Sequence, residues 1–156
     1  MKRGLVMLLA AGVVACGQAP GVQPEPRLTK RVIQPADYRP SPAPLVPAIM
    51  VGHTLYLSGG TGGDPVTGQL VEGGFEAEFR QIMTNMQNVL AAAGLDLSDV
   101  VSVTVYLADM DDYGLLNQLY REYFTTDPLP TRAAVAVEAL ARGAVIELRM
   151  TAVDAD

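Results

Sequence analysis

The sequence predicts one small α+β domain in which a single sheet carries two helices on one of its faces. Three observations predict it. Two segments repeat apolar residues every three or four positions, the spacing of an amphipathic helix. The segments around them alternate apolar and polar residues, the spacing of a strand. At 156 residues the chain has room for one domain and not comfortably for two.

Ala48 to Val51 and Thr54 to Ser58 are short strand-like runs around Gly52-His53. Glycine first in a two-residue connection suits a type II′ hairpin. Asp64-Pro65-Val66-Thr67-Gly68 has the composition of a turn. The first helix is the clearest element: Phe75, Phe79, Ile82, Met83, Met86, Val89, Leu90 and Ala93 form one stripe, and Gly94 stands where a C-terminal cap belongs. Val100 to Leu107 alternates and is β-branched, so it reads as a strand. Asp111 or Asp112 can cap a second helix whose stripe is Tyr113, Leu116, Leu119, Tyr120 and Tyr123, with Pro128 and Pro130 beyond it. Arg132 to Val137 and Ala144 to Val153 are the last two strands. The expected order is β-β-α-β-α-β-β.

Strand alternation gives each strand two rows. The row expected under the helices includes Leu55, Leu57, Val101, Val103, Val105, Ile146, Leu148 and Met150. The opposite row reads Thr54, Tyr56, Ser58; Ser102, Thr104, Tyr106; Arg132, Ala134, Ala136; and Glu147, Arg149, Thr151. Such a semi-polar face either meets solvent or meets copies of itself in a closed oligomer.

Composition excludes several functions. Apolar residues make up 49% and charged residues 18% of the chain, which suits a domain with a buried core. The formal charge is −6 and no Lys/Arg cluster is present, so no nucleic-acid partner is expected. One cysteine, Cys16, and one histidine, His53, build neither a disulfide nor a His/Cys metal site, and no metal is expected. His53 as a charge-relay base lacks an accompanying Ser or Cys nucleophile signature.

The N-terminus reads as an address. Met1-Lys2-Arg3 is basic, and the apolar run Leu5 to Val14 is shorter than the roughly 20 residues that span a bilayer. Val13-Val14-Ala15-Cys16 resembles the lipobox of bacterial lipoproteins, in which the cysteine is lipidated. Residues 1–15 are thus expected to be a signal peptide, and residues 16–40 a lipidated Cys16 with a proline-rich tether. Residues 41–156 would be the domain. The expectation is an exported protein anchored only through lipid, Gly17 pointing to the outer membrane facing the periplasm.

Several stretches resemble the Rid (reactive-intermediate deaminase, YjgF-like) family across roughly residues 41–153. They are Val51-Gly52-His53-Thr54-Leu55-Tyr56-Leu57-Ser58-Gly59, Asp64-Pro65-Val66-Thr67-Gly68, and Asn85 with Val89-Leu90 and Ala93-Gly94. Then follow Val103-Thr104-Val105-Tyr106-Leu107-Ala108-Asp109-Met110; Asn117, Tyr120 and Phe124; Pro130-Thr131-Arg132; and Ile146-Glu147. The resemblance implies a chorismate-mutase-like α+β fold, a homotrimer with clefts between subunits, and hydrolysis of 2-imino or enamino acids to 2-oxo acids and ammonia without a cofactor. It implies that Arg132 clamps the substrate carboxylate, since guanidinium offers two parallel donors. Glu147 would stand near the attacking water and move its proton. Ser58, Gly59, Asn117 and the backbone amide of Ala134 would complete the substrate site. At the position where many family deaminases carry a Tyr, this chain has Leu45, and Gly60 replaces a small polar residue. Those departures, with export, favour an alternative: a non-catalytic trimeric module that binds small carboxylates or serves as a scaffold at the membrane.

Overall fold

The computed structural model describes residues 27–40 and 43–155. Residues 1–15, the expected signal peptide, and Cys16 lie outside the described residues. Among the described residues, seven strands and two α-helices occur in the order β1 (Lys30–Ile33), β2 (Ala48–Val51), β3 (Thr54–Leu57), β4 (Gly60–Thr61), α1 (Gly74–Ala92), β5 (Val100–Leu107), α2 (Tyr113–Tyr123), β6 (Thr131–Ala136) and β7 (Ile146–Val153). The strands form one sheet in the order β1-β2-β3-β7-β5-β6, with β4 continuing the β3 position along β7. Only the β5–β6 pair is parallel. Parallel neighbours need a crossover rather than a hairpin, and α2 supplies it.

The expected α+β order holds, with two additions and three corrections. Lys30–Ile33, inside the stretch read as tether, pairs antiparallel with β2, so the sheet begins ahead of the expected boundary at residue 41. Two-residue β4 was not anticipated. Val101 is 46% exposed rather than buried, because the register slips between Val100 and Ser102 and buries Val100 in its place. The cap at the second helix comes from Asp109, whose side chain accepts from Asp111 N in a 3-10 turn; Asp112 makes no side-chain cap. The third correction concerns the face of β6. Arg132 lies opposite Val103 and Ala134 opposite Val105. Directly opposed side chains share a face, so Arg132, Ala134 and Ala136 stand on the helix side and not on the semi-polar side.

The β2–β3 hairpin closes through Gly52 at φ 57, the left-handed value its first central position requires. Helix α1 ends in a Schellman motif: Gly94, at φ 81, donates to Ala91 O and Leu95 N donates to Leu90 O. Leu95 then returns the chain to the core. Between sheet and helices, Leu55, Leu57, Val103, Val105, Leu107, Ile146, Leu148 and Met150 meet Phe79, Ile82, Met83, Leu90, Leu116 and Leu119. Among the described residues nothing forms a layer on the other sheet face, and Tyr56 and Val135 stand well exposed there.

Candidate functional site

The predicted site residues fall into two groups on opposite faces of the sheet. The first lies at the β6 edge, on the helix side. Arg132 is half-buried there, and its Nη2 donates to Asn117 Oδ1 of α2 at 2.5 Å. Its Cζ stands 4.6 Å above the Tyr120 ring and 5.7 Å from that of Tyr113. Tyr120 stacks in turn on Phe124, with centroids 4.3 Å apart. The guanidinium is therefore held by one hydrogen bond and an aromatic platform, and most of its five N–H donors remain to bind something else. Burial pushes the Tyr120 phenol up to about 12, the Arg132 charge opposing the shift. Ala134 follows Arg132 along the same face of the edge strand.

The second group lies on the open face. Tyr56 of β3 pairs with Thr151 of β7, while Gly60 and Thr61 of β4 pair with Leu148 and Glu147. Between those pairings the chain leaves the ladder at Ser58-Gly59, beside Arg149. Glu147 lies directly against Gly59: a Cβ at that glycine would sit 2.1 Å from Glu147 Oε1. Only glycine admits the carboxylate there. Ser58 Oγ donates to Val46 O at 2.7 Å, and Ser58 N donates to Pro47 O at 2.8 Å. The segment that bears half-exposed Leu45 is thereby fixed to the end of β3. A groove of ≈ 380 Å³ opens beside it, lined on this face by Val46, Ile49, Tyr56, Ser58, Gly59 and Arg149.

Two further side chains brace the strands that carry Glu147. Glu78 of α1 is buried, and its Oε2 accepts from Val145 N at 3.1 Å, just ahead of β7. Gly62 packs so closely on it that a Cβ would lie 2.6 Å from Glu78 Cα. Arg142, held at φ 61, donates to Thr61 Oγ1 at 2.7 Å and to Gly68 O. It ties the 62–70 loop to β4, the strand paired with Glu147. Asp64 orders the same loop by accepting from Val66 N and Thr67 N, and the Thr67 hydrogen bonds hold its carboxyl below the usual range. Sequence reading missed Glu78 and Arg142, because charged residues on a helix stripe or in a loop read as solvated by default.

The structure brings Arg132 to Asn117, and Glu147 to Gly59 beside Ser58. It does not bring Arg132 to Glu147, which a single copy holds on opposite sides of its sheet. Among the described residues no His, Cys, Asp and Glu cluster is placed to hold a metal ion.

Comparison with known proteins agrees with this architecture. The family model described as endoribonuclease L-PSP matches residues 37–154. The 2-iminobutanoate/2-iminopropanoate deaminase of Homo sapiens is 42% identical over 126 residues, covering 81% of this chain and 91% of that protein. The goat (Capra hircus) deaminase of the same name is 41% identical over the same span. Among solved structures, RidA from an Antarctic Psychrobacter superposes with a TM-score of 0.74 at 36% identity, covering 80% of this chain and 99% of that one. The Rid-family protein YyfA of Yersinia pestis gives 0.76 at 32% identity, covering 81% and 100%. A family model spanning most of the chain, and relatives this similar over nearly their whole length, make the chain a member of the Rid, or endoribonuclease L-PSP, family.

Proposed function

We propose that the protein hydrolyses 2-imino acids, and the enamines in equilibrium with them, to 2-oxo acids and ammonia in clefts formed between copies of the chain. The named activity of its mammalian relatives supports the reaction. One observation carries the placement: Arg132 sits at a sheet edge with spare donors, while Glu147 lies on the uncovered face with room beside Gly59. A ring in which the β6 edge of each copy meets the open face of the next joins the two groups, and a closed trimer repeats that contact without leftover surfaces.

In such a cleft the substrate carboxylate takes two parallel hydrogen bonds from Arg132, with the Ala134 amide as a further donor. Asn117 and Tyr120 keep the fork aimed. Glu147 accepts a proton from water as the water oxygen attacks C2 of the N-protonated imine, giving a neutral carbinolamine. The carboxyl then returns that proton to nitrogen, and the carboxylate so restored takes the hydroxyl proton as the C–N bond breaks and ammonia departs, then gives it up to solvent. Water supplies the oxygen of the 2-oxo acid, and no redox partner is needed. Leu45 gives the cleft an apolar wall on one side.

The test generates 2-iminopropanoate with an amino-acid oxidase and traps it with semicarbazide. Wild type should lower trapping, and Arg132→Ala and Glu147→Gln should each fail to. Trimers re-formed from a mixture of those two variants should recover activity, because about a quarter of the clefts then receive both native groups. No recovery overturns the shared cleft. Binding of pyruvate without turnover would replace the enzyme reading with the carboxylate-capture module.

We also propose the exported form, supported by the lipobox-like Val13-Val14-Ala15-Cys16 and the proline-rich stretch after it. With Cys16 lipidated in every copy, the several acyl chains of a trimer would hold it to the outer membrane far more firmly than one. Metabolic labelling with an acyl precursor should mark wild type and not Cys16→Ser.

A further inference from the structure

We infer that Arg149 forms a second anion subsite beside Glu147, and that the protein prefers 2-imino diacids, those derived from aspartate or glutamate, over imines with apolar side chains. The inference rests on the deaminase reading and specifies its substrate class. The groove on the open face is lined by Val46, Ile49, Tyr56, Ser58 and Gly59, and among the described residues Arg149 is its only charged lining residue. Among the described residues Arg149 makes no ion pair and no hydrogen bond, whereas Arg80, Arg132 and Arg142 are all engaged. An exposed guanidinium in a wall of otherwise uncharged groups is a planar fork awaiting a carboxylate or similar oxyanion.

Register puts that fork at the reacting end. The chain leaves the ladder at Ser58-Gly59 between the Tyr56–Thr151 and Gly60–Leu148 pairs, so these residues flank Arg149 across the sheet. Glu147 and Arg149 are two apart on one strand, hence on one face and about 7 Å apart. With C2 of a substrate at Glu147 and its α-carboxylate on Arg132 of the adjoining copy, the side chain points along the groove. A distal carboxylate there meets Arg149, with the exposed Tyr56 beside it. A methyl or ethyl side chain offers that guanidinium nothing and leaves it to water.

The experiment compares 2-iminosuccinate, made by an aspartate oxidase, with 2-iminopropanoate in the semicarbazide assay, reading the ratio of the two kcat/KM values. In Arg149→Gln that ratio should fall about tenfold, the lower range for a charge-assisted hydrogen bond in a solvent-open site. Arg149→Glu should lower it further, and Arg149→Lys should recover most of it. In wild type, oxaloacetate should inhibit at lower concentration than pyruvate, a reading that needs no variant to fold. An unmoved ratio in Arg149→Gln, or equal inhibition by the two oxo acids, overturns the subsite while 2-iminopropanoate turnover keeps the deaminase reading intact. If wild type hydrolyses neither imine, the deaminase reading fails and this inference falls with it.

Discussion

Replacing Arg132 with alanine separates what the side chain does for substrate from what it does for the fold. In the protein its guanidinium donates to Asn117 Oδ1 and lies 4.6 Å above Tyr120. Hydrogen bonds between charged partners contribute about 1.5–3 kcal/mol, and the fork offers a substrate carboxylate two of them at a half-exposed site. Taking about 3 kcal/mol for the pair, kcat/KM should fall roughly a hundredfold. Stability should change less: losing the Asn117 bond and the half-buried cation–π contact costs about 1–2 kcal/mol. Arg132→Lys retains the charge without the fork and should land between the two. Semicarbazide-coupled kinetics read the first effect, and thermal unfolding followed by circular dichroism reads the second. A loss below threefold in kcat/KM, in a variant that unfolds only a few degrees earlier, would refute the clamp.

Other predictions test the surroundings. Gly59→Ala places a methyl where Glu147 Oε1 now lies, so kcat should drop at least tenfold. The displaced atom ends a flexible side chain, so stability should fall by less than about 1 kcal/mol. Both Arg142→Ala and Arg142→Gly release the 62–70 loop, and limited proteolysis should cut there faster. The glycine variant should be the more stable by about 1 kcal/mol, because φ 61 no longer strains a side-chain-bearing residue. The Tyr120 phenol ionises near 10 when unfolded and near 12 when folded. Its contribution is therefore complete below pH 10 and is lost as pH climbs from 10 towards 12, which denaturant midpoints across that range should record. Ultraviolet titration should find the Tyr120 phenol ionising late, and later still in Arg132→Ala.

Elements with strong amphipathic contrast were legible in the sequence. The α1 stripe, its Gly94 cap and the rows of β3 and β7 needed nothing beyond periodicity. Where contrast was weak, reading failed. Strand β6 reads Thr-Arg-Ala-Ala-Val-Ala, and small residues on both rows leave its phase to the parallel partner β5. Strand β1 carries one buried residue, Ile33, among prolines and charges, so only its pairing with β2 identifies it. Family resemblance supplied the residues expected at the site, but their division between two faces was not legible. A one-residue change of phase moves a side chain across the sheet without altering the composition around it.

That division has a consequence for behaviour in solution. If the proposed shared cleft carries the chemistry, a lone folded copy, with Arg132 and Glu147 on opposite faces, completes no site, so dilution below the association threshold should extinguish turnover more steeply than protein concentration falls. Confinement to a two-dimensional surface works the other way. Copies held at short range meet far more often than the same number dispersed through a volume, so specific activity would depend on surface density.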